Sequence, residues 1–231
     1  MIRPSLTIVT LLAVLATSCS HKTASVVPLR PAAFGAAIVE SSGGKQTAQT
    51  GTALPQPLVV QVNDQQGSAV AGALVEFSSA PGVVFDPANG LADSSGQVTT
   101  NVTLGEVAGR FQLTASSTGK EGKKISLTIE EMALGYQQTL GRQLNDQYCE
   151  RCHNPESTVE RVSNFDNLEI KPHPFTEGDT PNKLTDADLT AIISHGGPAL
   201  NKSALMPAWG NTLSRSDIQA LISYIRAIAD F

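Results

Sequence analysis

Through residues 34–132 the chain alternates hydrophobic and polar positions with period two. Leu58, Val60 and Val62 alternate with Val59, Gln61 and Asn63. The same rhythm returns at Ala73, Val75 and Phe77, at Val98, Thr100, Val102 and Leu104, at Phe111, Leu113 and Ala115, and at Ile125, Leu127 and Ile129. Each run buries one strand face and solvates the other. Turn-forming stretches separate them: Asn63-Asp64-Gln65-Gln66-Gly67, Asn89-Gly90, Asp93-Ser94-Ser95-Gly96 and the segment from Gly105 to Gly109. Short strands with this punctuation predict an antiparallel β-sandwich. After Met132 the period changes. Tyr136, Leu140, Leu144 and Tyr148 recur every four residues, which predicts a helical face running into Cys149. Thr185 with Asp188, and Ser214 with Asp217, have the spacing of capping boxes, each ahead of an apolar run. The expected architecture is multidomain: an all-β sandwich over 34–132, then an all-α domain over 134–231.

The N-terminus follows neither pattern. Arg3 precedes an apolar run over residues 6–16, too short for the ~20 residues that cross a bilayer. An export signal over 1–18 is the expectation. The run closes Leu15-Ala16-Thr17-Ser18-Cys19, which resembles a bacterial lipobox, with Leu four residues before the Cys rather than three. The resemblance implies cleavage before Cys19 and lipid attachment to it, giving stable membrane anchoring. Residues 19–33 read as a tether, rich in Ser, Ala, Val and Pro and without periodicity.

Length and charge narrow the classes. The 231 residues suffice for two domains. Hydrophobic residues make up 41% and charged residues 16%, which excludes a disordered acidic chain. The formal net charge of −5 leaves no basic field for nucleic acid.

In the sandwich segment, Pro57-Leu58-Val59-Val60-Gln61-Val62-Asn63-Asp64, Val70-Ala71-Gly72 and Val75-Glu76-Phe77 resemble bacterial immunoglobulin-like domains of the invasin and intimin kind. Ala92-Asp93-Ser94-Ser95-Gly96-Gln97-Val98 and the run from Ala108 to Ala115 fit the second half of that pattern. The resemblance implies an immunoglobulin-like spacer or docking module. The segment has no cluster of His, Cys or paired carboxylates, so it is assigned no chemistry.

The chemistry lies in Cys149-Glu150-Arg151-Cys152-His153, the signature of c-type haem attachment. Two residues between the thiols let one helical turn set both sulfurs along the vinyl edge of a porphyrin. The next residue, His153, can then bind iron. A disulfide, a thioredoxin-like pair and a zinc site compete with this reading. The thioredoxin-like pair lacks its βαβ context, and zinc lacks further Cys ligands, because the chain has only three Cys.

Residues 134–231 resemble class I cytochromes c. The resemblance is carried by Gly141 and Leu144 ahead of the Cys pair, by Leu205-Met206-Pro207-Ala208-Trp209-Gly210, and by Tyr224 in the last helix. It implies one covalent haem c on Cys149 and Cys152, with His153 and Met206 as axial ligands of the iron. Trp209 is expected either beside the ring or as core filling. A bis-His site through His173 or His195 is the alternative ligation, although His195 reads better as a helix-end cap or a propionate contact. His21 falls in the tether. Two family features are missing: Asn145 stands where an aromatic residue is usual, and Asn154-Pro155-Glu156-Ser157 stands where a Gly-rich stretch often follows the haem His. Either Pro172 or Pro174 could supply the carbonyl that, in the family, orients the ligand His.

The expected protein is therefore a monohaem electron carrier, not an enzyme, lipid-anchored in the cell envelope. Residues 134–231 hold eight basic and twelve acidic residues, so a redox partner protein with a basic face is expected. A surface adhesion lipoprotein with an accessory haem domain, or a haem enzyme or sensor, are the alternatives.

Overall fold

The computed structural model describes residues 29–154 and 163–231. The export signal, Cys19, His21 and most of the tether lie outside the described residues. Nine strands come first: β1 (Ala37–Ser42), β2 (Thr47–Gln49), β3 (Leu58–Asn63), β4 (Leu74–Ser79), β5 (Val84–Asp86), β6 (Asn89–Leu91), β7 (Gln97–Thr103), β8 (Gly109–Thr118) and β9 (Lys124–Leu134). They form a four-stranded sheet ordered β1-β3-β7-β5 and a five-stranded sheet ordered β2-β9-β8-β4-β6. The pairings are antiparallel except for β2 with β9.

The inward set of each alternating run closes the space between the sheets. Leu58, Val60, Val62, Val75 and Leu113 are fully buried there, with Val98, Val102 and Ile129 beside them. Burial of this kind stabilises by ~1.5–3 kcal/mol per large aliphatic side chain. Turn chemistry sets the registers. Asp64 Oδ1 accepts from the Gln66 and Ser68 N–H groups, and Asp93 Oδ1 accepts from those of Ser95 and Gln97. Gly96, at φ +74°, closes the second turn, and a Cβ there would stand 2.9 Å from the Val62 carbonyl oxygen. Asn89-Gly90 departs from expectation. It lies in edge strand β6, with Gly90 opposite Val75. A Cβ at Gly90 would come within 2.9 Å of Val98 Cγ1, so close approach of the opposing sheet accounts for the glycine, not a turn.

The helical part contains α1 (Tyr136–Tyr148), α2 (Glu150–His153), α3 (Asp186–His195) and α4 (Arg215–Ile228), with short 3-10 turns between. Both capping boxes form. Thr185 and Ser214 accept from the Asp188 and Asp217 N–H groups, and each Asp carboxylate accepts from the N-cap N–H in return. The face of α1 differs from the apolar stripe. Tyr136 is 73% exposed, and the buried positions are Gly141 and Asn145. At Gly141 α1 crosses α4 at backbone contact distance. A Cβ there would overlap the Ala220 carbonyl oxygen and meet Tyr224 Cβ at 2.7 Å. The closest packing therefore falls where a side chain is missing, and no hydrophobic pattern marks that position.

The two parts dock on each other. β9 loses its alternation at its end, where Glu131, Met132, Ala133 and Leu134 are all buried. Ala133 faces the sandwich core, while Met132 and Leu134 pack with Tyr224 and Ile228 of α4. Arg110 of β8 donates to the Ala229 and Asp230 carbonyls at 2.6 and 2.7 Å, satisfying groups past the end of α4. Arg142 of α1 donates to the Thr47 carbonyl of β2 at 2.8 Å. The Phe231 ring lies 5.1 Å from Lys45 Nζ.

Two outcomes follow from this packing. Gly141→Val forces the helices apart, so it should lower stability by about 2–4 kcal/mol, read as a fall in urea midpoint. Glu131 is fully buried, with Oε2 accepting from the Gln46 N–H at 2.7 Å and Oε1 without a partner. Burial pushes its carboxyl up to about 7, and the nearby Glu40 charge adds to the shift. A raised acid keeps its full contribution below the unfolded value and loses stability as pH rises through 7. Glu131→Gln should therefore match the native chain near pH 4.5 and exceed it by about 2 kcal/mol at pH 8. Equal stability at both pH values would refute this.

Candidate haem site

The Cys-X-X-Cys-His run continues α1 through a single turn. The Cys149 N–H bonds to the Asn145 carbonyl at 2.9 Å. The Cys152 and His153 N–H groups both bond to the Cys149 carbonyl, at 3.1 and 3.0 Å. Cys149, with φ −114°, forms the joint between α1 and α2. One tight turn thus carries both thiols and the imidazole, and both thiols are free.

His153 is oriented from behind. Its Nδ1 lies 3.0 Å from the His173 carbonyl oxygen. A carbonyl only accepts, so Nδ1 carries the proton and Nε2 keeps its lone pair for a metal. The acceptor residue sits between Pro172 and Pro174, whose fixed φ angles stiffen the loop. The carbonyl thus comes from the residue between the two prolines and not from either proline. Phe175 stacks on the imidazole, with centroids 4.4 Å apart and planes 18° apart. Burial holds the His153 imidazole below its usual range, with partial opposition from the His173 carbonyl, so the ring is neutral and able to bind.

Burial pushes the Cys149 thiol up to about 12, with smaller contributions from Cys152 and Asp146. A thiol that stays protonated at neutral pH is not the activated thiolate of a redox pair. Its surroundings are apolar instead. Cys149, Tyr148, Met206, Trp209 and Ile192 pack at the edge of a cluster centred on Leu189, Ile193, Leu221 and Ile225.

The Met206 loop is stitched to the end of α3. The Met206 carbonyl accepts from the Gly197 N–H at 3.1 Å, and the Trp209 and Gly210 N–H groups bond to the Ile193 and Ser194 carbonyls. Gly196 makes the close passage possible. It has φ +81°, and a Cβ would stand 2.8 Å from the Met206 carbonyl oxygen. The Trp209 ring sits 5.2 Å from that of Tyr148, tilted by 55°. Met206 and Trp209 therefore share a cluster with the residue before the first thiol.

The remaining histidines fall elsewhere. The Gly196 N–H takes the Ile192 carbonyl and closes α3, while the His195 side chain is exposed. His173 lies behind His153, on the Nδ1 side, which is the wrong side for an opposing iron ligand. Two thiols on one turn, an imidazole with a free Nε2, a thioether and an apolar wall make a donor set that fits haem c. Sequence reasoning missed Phe175 and the His173 carbonyl, because neither has a spacing that signals contact with the motif.

In the haem-free chain, Cys149 should alkylate with iodoacetamide at pH 8 at least ~10-fold more slowly than a cysteine in an unstructured peptide. Peptide mapping of the label measures this, and rapid labelling of Cys149 would contradict the burial described.

Comparison with known proteins gives a family match in the helical part. Residues 137–225 match the family described as cytochrome C oxidase, cbb3-type, subunit III. No curated protein matches the chain. Among solved structures, the D00-D0 domain of intimin is 17% identical, with a TM-score of 0.31, covering 42% of this chain and 45% of that one. Invasin, titled a bacterial integrin-binding protein, is 21% identical with a TM-score of 0.33, covering 42% and 19%. The Yersinia pseudotuberculosis adhesin InvE is 18% identical with a TM-score of 0.32, covering 44% and 32%. The chain spans less than half the length of each of these structures. The family match over 137–225 points to a cytochrome c domain, with haem as its group and electron transfer as its chemistry.

Proposed function

We propose that this chain is a monohaem c-type cytochrome of the cell envelope, lipid-anchored through Cys19, that carries single electrons between partner proteins. The carrying observation is the His153 Nδ1 contact to the His173 carbonyl, on the turn that also bears Cys149 and Cys152. Cys149 and Cys152 would hold the haem covalently, and His153 and Met206 would bind its iron. When bound, haem supplies a one-electron iron couple, and a His/Met pair sets it at a higher potential than two histidines do.

The protein's own part is positioning. The His173 carbonyl and the Phe175 ring fix the plane of the His153 imidazole. The Gly197 N–H on the Met206 carbonyl fixes the loop that brings the thioether in. Leu189, Ile193, Leu221 and Ile225 exclude water from that side. With His153 and Met206 both bound to the iron, no place would be left for a substrate, which favours a carrier over an enzyme or sensor.

The sandwich serves in this reading as a fixed platform, because Arg110 and the Met132/Leu134 pair hold it against α4. No helix among the described residues is long and apolar enough to cross a membrane. The proposed attachment is the acylated Cys19, from the lipobox-like run ahead of it, and residues 19–33 give the reach. The acidic excess of 134–231 favours a partner with a basic docking face.

The test is a visible spectrum of exported protein. The native chain should show a low-spin c-type spectrum with the weak sulfur-to-iron band near the red end. Met206→Ala should lose that band, keep the covalent haem, and bind carbon monoxide when reduced. A colourless native protein, with no porphyrin mass added to the peptide containing Cys149, would refute the proposal.

A further inference from the structure

The loop that orients His153 also carries a set of side chains with no part in the haem site. One nitrogen of His173 and one carboxylate oxygen each of Glu177 and Asp179 lie within 4.8 Å of one another. His173 Nδ1 is 3.4 Å from Glu177 Oε2, and its Nε2 is 3.8 Å from Asp179 Oδ1. Among the described residues, neither carboxylate forms an ion pair with a Lys or Arg. Two acids thus flank one imidazole without a compensating cation.

The backbone under them is held in place. The Thr176 carbonyl accepts from the Asp230 N–H, and the Gly178 N–H donates to Asp230 Oδ1 at 3.0 Å. Gly178 is buried, and a Cβ there would overlap the Asp230 carboxylate. The Glu177 N–H bonds to the Pro174 carbonyl, and His173 stands between two prolines. A loop pinned at this many points loses little entropy when its side chains close on an ion.

We infer that His173, Glu177 and Asp179 form a site for a divalent ion of the zinc class, with water completing the coordination. One borderline imidazole nitrogen with two carboxylate oxygens is a set that zinc-class ions accept and that suits them better than calcium, which takes six to eight oxygens. Donors at zinc bond lengths of ~2.0–2.2 Å lie about 3.4 Å apart in a tetrahedron, so donor atoms now within 4.8 Å of one another must draw together onto one imidazole nitrogen, which exposed side chains can do by rotation.

The site is coupled to the haem ligand. His173 presents its side chain to the ion and its carbonyl to His153 Nδ1. A cation there draws electron density from that carbonyl and adds positive charge near the iron, and both effects favour the reduced state. This coupling rests on the haem reading above, whereas the metal site itself does not.

Isothermal titration of exported holoprotein with zinc sulfate tests the site. The native protein should bind one equivalent saturably. Affinity should fall at least ~10-fold in His173→Ala, which keeps the backbone carbonyl, and in the double variant Glu177→Gln with Asp179→Asn. Unchanged zinc affinity in both variants, or no saturable binding by the native chain, overturns the site. Saturating zinc should shift the haem midpoint potential upward in the native protein and leave it unmoved in His173→Ala. An equal shift in both overturns the coupling. Colourless protein that still binds zinc through His173 would fail the haem reading and uphold the site.

Discussion

The helical domain depends on one close contact, the crossing of α1 and α4 at Gly141. There the backbone of α1 lies against the Ala220 carbonyl with no room for a side chain. That approach brings Leu144 and Tyr148 down onto the cluster of Leu221 and Ile225. It also fixes the direction in which α1 delivers Cys149, and hence the turn that carries Cys152 and His153. A wider crossing would move the thiols and the imidazole together, because they share a continuous backbone ladder with α1.

A second set of constraints arrives from the sandwich. Arg110 of β8 grips the Ala229 and Asp230 carbonyls. Asp230 in turn holds Gly178 and Thr176. That loop runs back through Phe175 to the His173 carbonyl, which orients His153. The β-domain is thus linked by hydrogen bonds and a short stretch of chain to the proposed iron ligand. Such a link gives the sandwich a structural role in the haem domain beyond holding it at a distance.

The buried Glu131 stands out within the β-domain. It occupies an inward position of β9 between Ile129 and Ala133, where the alternation calls for an apolar residue. One oxygen is satisfied by the Gln46 N–H, and the other has no partner. A neutral acid is far cheaper to bury than a charged one, which is why its carboxyl moves up toward neutrality.

The local features were legible in the sequence because short-range physics produces them. Alternation at Val60, Val75 and Val102 marks the buried face of each strand, and Thr185 and Ser214 each start a helix through a hydrogen bond spanning three residues. The spacing of Cys149, Cys152 and His153 is likewise a property of a single turn. What only the tertiary structure decided depends on groups distant in sequence meeting at short range. The Asn89-Gly90 pair lies in an edge strand because it pairs with β4, and position 90 is a glycine because Val98 of the opposing sheet passes close by. The buried side of α1 fell on Gly141 and Asn145, because packing distance to α4 outweighed hydrophobicity. The choice of His173 as the carbonyl behind His153 came from the path of a loop twenty residues away. No periodicity or motif encodes such meetings, since each depends on how independently formed elements fit in space.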